Sequence, residues 1–152
     1  MCAYTLGAAA AMILSAVCCN TVFFKPHAAP AAISAALPDI FLLLAGTAFA
    51  AAYEEVLYRL CLPLFAYAAI SAAECRIQRL PQLFCVLRLC GEAACIAVFA
   101  CSHRINGIPA VVNAAAAGVI LRFICIKTHS LYPGIAAHTV YNCVMYAAYL
   151  FM

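Results

Sequence analysis

The residues able to do chemistry in this chain are few, and they stand at helical spacing. Glu54-Glu55-Val56-Leu57-Tyr58-Arg59 places two carboxylates and a guanidinium within six positions. Phe99 is followed four residues later by His103, and His138 four residues later by Asn142. Arg88 and Glu92 form a fourth polar pair, also four apart. A carboxylate near an imidazole in a dry pocket can act as a general base on water. An imidazole and an amide can donate hydrogen bonds to a developing oxyanion. No nucleophile competes with that reading. Ser102 neighbours His103, but no Gly-x-Ser-x-Gly stretch accompanies it. Hydrolysis by an activated water is what remains. A zinc version is open on residue types alone, because Glu54, His103 and His138 make a His₂Glu set. No His-Glu-x-x-His motif supports it, and a site without cofactor is the expectation.

Helix geometry separates the two acids. Glu55 and Arg59 share a face and can pair. Glu54 points about 100° away from Glu55. Arg59 therefore neutralises one acid and leaves the other facing something else. The flanks, Ile40–Tyr53 and Leu60–Ala73, carry no charge. A charge at membrane depth costs roughly 2.5–3.5 kcal/mol on insertion scales, so such residues are functional by default. They also face the bundle interior and seek one another, which predicts one wet cavity shared by Glu54, Glu55, Arg59, His103, His138 and Asn142. The Arg88/Glu92 pair reads as an ordinary ion pair across one helix turn.

The elements that position these residues are apolar helices. Of 152 residues, 70% are hydrophobic and 9% charged, with mean hydropathy +1.09. A soluble domain has about 25% charged residues. The class is an all-α, polytopic membrane bundle of about five spans, at about 20 residues each. The net charge of +3 is spread along the chain and makes no basic stripe, so nucleic acid is not a partner. Eleven cysteines suggest disulfides by count. However, Cys61, Cys85, Cys90, Cys95, Cys125 and Cys143 lie in apolar runs, and no Cys-x-x-Cys exists for a zinc-thiolate site.

In order, the spans are 4–24, 40–72, 82–102, 109–126 and 134–151. The first is read as a retained helix, since no Lys or Arg precedes it as a signal peptide would require. A proline-containing connection, Lys25–Asp39, leads to the second span, with Asp39 as its cap. Residues 40–72 exceed one bilayer thickness, and Pro63 is the expected kink. Residues 73–81 form a polar loop, 103–108 a tight turn and 127–133 a loop. Arg122, near the end of the fourth span, is expected to snorkel. His27 and His129 are solvated loop residues. Arg76, Arg79 and Lys127 on one side outnumber Lys25 and Arg104 on the other, which favours the first side as cytoplasmic.

The three motifs, in this order on apolar helices, resemble the CPBP family of intramembrane proteases, also called the Abi or type II CAAX prenyl endopeptidase family. Thr128-His-Ser-Leu-Tyr-Pro133 resembles the family's loop before the last motif. The likeness covers roughly residues 50–145. It divides the chain into 1–49 (first helix, connection and start of the second helix), the core 50–145, and 146–152 (end of the last helix). It implies a helical bundle around a conical cavity. It implies that Glu54 and His103 activate a water, that His138 and Asn142 stabilise the oxyanion, and that Glu55, Arg59 and Phe99 organise the site, without a metal. The implied reaction is hydrolysis of a peptide bond near the C-terminus of a prenylated or otherwise membrane-associated protein. The implied partners are membrane lipid and a lipid-modified or transmembrane peptide. Leu60 stands where a glycine often follows the arginine, and the spans are fewer than in well-described members, so a homodimer is one way to close the cavity. A bacterial inner membrane is the expected location. The competing class is a non-catalytic membrane scaffold or bacteriocin self-immunity protein that uses the same polar network structurally. A proton relay ranks lower, because no inverted repeat is visible.

Overall fold

The structure is a computed structural model, and it describes residues 2–23, 37–77 and 81–151. Among these residues the fold is all-α, a membrane helical bundle. Its helices are α1 (Cys2–Phe23), α2 (Leu37–Glu55), α3 (Leu62–Arg76), α4 (Pro81–Ser102), α5 (Ile108–Thr128) and α6 (Tyr132–Phe151). A π-helical turn, Val56–Cys61, joins α2 to α3, and a 3₁₀ turn, Arg104–Asn106, follows α4. By length and composition, Phe41–Arg76, Pro81–Ser102 and Ile108–Thr128 can cross a membrane.

Neighbouring helices lie against one another in hairpin fashion: α3 on α4, α4 on α5, and α5 on α6. α2 packs on α6, and α1 packs behind α5 and α6. The main core is the seam of α1, α5 and α6, where Ala8, Ala9, Met12 and Ala16 meet Ala117, Leu121, Ile124, Ala137 and Tyr141. Small residues dominate it because membrane helices gain by close approach rather than by expelling water. Ser15 donates to Asn113 Oδ1 over 3.2 Å, and the Asn113 amide donates to the Tyr141 hydroxyl, so a polar thread ties α1 to α6.

Pro63 shapes the middle of the long second stretch. Proline has no N–H and its ring clashes with the carbonyl four residues back, here that of Arg59. The chain responds by widening rather than breaking: the Leu62 N–H bonds to the Leu57 carbonyl, five residues back. α3 then starts at Leu62 with Pro63 in its first turn, where the missing donor is harmless. Leu60 is half-exposed on the outer side of this turn, so its bulk does not crowd the packing behind Arg59.

Several sequence expectations change. The polar loop expected from residue 73 is helical through Arg76, where α3 ends, and residues 78–80 lie outside the described ones. α5 runs on through Lys127 to Thr128, and the αL residue His129 (φ 50°) ends it. The connection from 24 to 36 and His27 lie outside the described residues, as does Arg79. α2 begins at Leu37, so Asp39 falls within its first turn rather than before it; the Asp39 side chain lies outside the described ones. The nine described cysteines form no disulfide.

Candidate functional site

The site is assembled where the end of α2 and the π turn meet α4, α5 and α6. Glu55 is fully buried, and its Oε1 lies 3.1 Å from His138 Nδ1. A carboxylate only accepts, so Nδ1 carries the hydrogen. Glu54, whose side chain is 29% exposed, sits on the other edge of the same ring, with Oε2 3.7 Å from His138 Nε2. The two adjacent acids thus flank one imidazole from opposite nitrogens. The 3.7 Å gap is too long for a direct hydrogen bond. It is short enough for one oxygen to touch both atoms.

Arg59 is buried with its Nη2 3.7 Å from Glu55 Oε1. The pairing expected from i,i+4 spacing is present, but loosely: residues i and i+4 superpose in an α-helix, and Arg59 stands in a π turn. Its guanidinium lies 4.2 Å from the centre of the Phe99 ring, a cation–π contact in a dry setting. Phe99 is the hub of the site. Its ring meets Tyr58 at 5.2 Å, His103 at 4.9 Å and His138 at 6.1 Å between centroids, all edge to face. Gly118 makes room for it, since a Cβ there would lie 3.2 Å from Phe99 Cδ1.

His103 and Asn142 stand at the margins. His103 follows the last turn of α4, and its Nδ1 donates to the Phe99 carbonyl over 2.9 Å, which leaves Nε2 for other work. Among the described residues it makes no hydrogen bond or ion pair with Glu54; both His103 and His138 meet the Phe99 ring. Ser102 donates to the same carbonyl over 2.7 Å. Asn142, one turn along α6 from His138, lines an open groove of about 380 Å³ between α2 and α6 with Leu42, Leu43, Gly46, Thr47, Ala50 and Tyr146. Ala50 is one turn before Glu54, so both walls of the groove lead toward the Glu54–His138 pair.

Glu54 Oε2, Glu55 Oε2 and all three Arg59 guanidinium nitrogens are buried without a protein hydrogen-bond partner. Buried polar atoms normally have partners, and here five without one are gathered in one place. Among the described residues no three His, Cys, Asp or Glu side chains gather in a way that could hold a metal ion.

Two local ion-pair expectations are corrected. Arg88 pairs with Glu74 of α3, not with Glu92. Glu92 instead holds Arg122, which turns into the bundle rather than snorkelling: Arg122 Nε donates to Glu92 Oε2 over 2.5 Å, and Nη2 to Oε1. In each case a partner on a neighbouring helix is in better reach than the one a turn away. The uncharged neighbours of Arg122 at three and four residues (Gly118, Val119, Cys125, Ile126) were the signal that its partner lay on another helix.

Gly134 was not singled out by sequence, yet it touches the site. A Cβ there would lie 3.1 Å from Glu55 Oε2, with Leu121 behind. Gly134→Ala is expected to destabilise the bundle by about 1–3 kcal/mol through overpacking. Denaturation of the detergent-solubilised chain checks this, and an unshifted midpoint would show that the carboxylate has room to move.

Residues 36–144 match the family model described as type II CAAX prenyl endopeptidase Rce1-like. No curated protein and no solved structure matches the chain. The family match spans well over half of the 152 residues and covers the three motifs, the π turn and the groove's lining apart from Tyr146, and so the chain belongs to the Rce1-like, type II CAAX prenyl endopeptidase family, generally a family of membrane proteases.

Proposed function

We propose that this protein is an intramembrane endopeptidase that cuts a membrane-associated or prenylated peptide near its C-terminus with a carboxylate-activated water. The observation that carries the reading is the placement of Glu54 and Glu55 on opposite nitrogens of His138, at 3.7 and 3.1 Å, one helical turn from Ala50 and Asn142 of the groove. In this reading the substrate chain lies in the groove between α2 and α6. A water held against Glu54 Oε2 gives up a proton to the carboxylate as its oxygen attacks the scissile carbonyl. The C–N bond then breaks, and the proton passes to the leaving amine. Glu55 fixes the His138 ring, and Arg59 offsets the charge of the acid pair. The Asn142 amide donates to the oxyanion, and so does His138 from Nε2 when both of its ring nitrogens carry hydrogen. His103 assists the water through Nε2, at the margin of the site.

The test is cleavage by the purified chain in liposomes. A peptide ending in a farnesylated cysteine and three further residues is the substrate, and mass spectrometry reads the released tripeptide. Absence of cleavage of both this peptide and its unprenylated form would sink the reading. Asn142→Ala is expected to lower kcat by about 10²–10³-fold, the usual loss of one oxyanion donor, with KM little changed.

A further inference from the structure

We propose that Arg122 is a positioning residue for the site, because it supplies the hydrogen-bond donor that Pro63 withholds from the Arg59 carbonyl. In an α-helix that carbonyl would accept from the N–H of residue 63. Residue 63 is a buried proline. The Arg59 carbonyl therefore needs a donor from elsewhere, and Arg122 Nη1 gives one across the bundle at 3.0 Å. The remaining nitrogens of Arg122 are fixed by Glu92 in a two-pronged pair. Glu92 is fixed in turn by the Tyr67 hydroxyl, which donates to Oε1 over 2.6 Å. The chain of contacts thus runs from α3 through α4 and α5 to the backbone of the π turn. That turn begins directly after Glu54 and Glu55 and carries Arg59. The Arg122–Glu92–Tyr67 system touches none of the atoms around His138, and it sets the backbone from which the catalytic side chains project.

The proposal rests on the endopeptidase reading for its kinetic readout alone, and amide exchange tests it independently. The full chain is reconstituted as wild type, Arg122→Leu, Pro63→Ala and the double variant. Turnover of the farnesylated peptide and hydrogen–deuterium exchange of residues 56–65 are measured for each. Arg122→Leu is expected to lower kcat by about 10²-fold with KM unchanged, as a small misplacement of reacting groups does. Exchange should rise across 56–65 and stay unchanged in α1. In the double variant an N–H returns at position 63, and both kcat and protection should recover toward those of Pro63→Ala alone. Wild-type exchange in Arg122→Leu, or no recovery in the double variant, would overturn the proposal. If the wild type cleaves nothing, the endopeptidase reading fails, and the exchange arm still decides whether Arg122 holds the turn. Should Arg122→Leu not fold, Arg122→Lys replaces it. A single ammonium cannot serve both Glu92 and the carbonyl as the fork does, so partial loss of protection is expected, and full protection counts against the proposal.

Discussion

Glu54→Gln is expected to lower kcat by about 10²–10⁴-fold, the range supplied by a positioned general base. Glutamine keeps the size and one carbonyl oxygen but cannot take up a proton at neutral pH. The side chain is partly exposed and makes no close ion pair; its Oε2 lies 3.7 Å from His138 Nε2. Glutamine fills the same space against His138, so stability should fall by no more than about 0.5–1.5 kcal/mol, the net worth of one polar contact. Peptide turnover and denaturation of the same preparation decide the matter. Full activity in Glu54→Gln would remove the general-base role from this residue.

Glu55→Ala is expected to show the opposite balance, with a loss of about 3–5 kcal/mol in stability. Removing one partner of a buried pair leaves an uncompensated charge, here Arg59, whose guanidinium is already without hydrogen-bond partners. It also leaves His138 Nδ1–H without its acceptor. Glu55→Gln should fall between, since the amide oxygen can still accept from His138 while the charge on Arg59 goes unmet. Unfolding titrations in mild detergent check this. The two neighbours together separate the enzyme reading from the scaffold reading. A catalytic site predicts that Glu54 governs turnover and Glu55 governs stability. A purely structural network predicts that both substitutions melt the bundle and that no peptide is cleaved by any variant.

Much of this arrangement was legible in the chain. The apolar runs gave helices whose ends fall within a few residues of the observed ones, because a segment in lipid must satisfy its own backbone and so declares its length in composition. The separation of Glu54 from Glu55 followed from helical period, and the structure gives them different sides of one histidine. Pro63 was legible as a disturbance, since its missing N–H is a property of the residue itself. The form of the disturbance was not: whether the chain kinks or widens depends on what can donate to the freed Arg59 carbonyl, and that donor, Arg122, lies 63 residues beyond Arg59.

Ion pairing shows the same division. Arg88 and Glu92 are neighbours by spacing, yet each finds its partner on another helix, Glu74 for one and Arg122 for the other. A local pair on a helix is worth only a few tenths of a kcal/mol, so any well-placed interhelical partner outcompetes it. The standing of Phe99 as hub, with Arg59 and two histidines around its ring, likewise required three helices to be in place. Spacing along one helix is fixed by the covalent chain and its hydrogen-bond period, and that much the residues determined alone: an all-α membrane bundle, the motifs, and which side chains share a face. The choice of partners across helices, the π turn over Pro63 and the groove leading to Glu54 came from tertiary packing, because those depend on distances between segments that no local rule specifies.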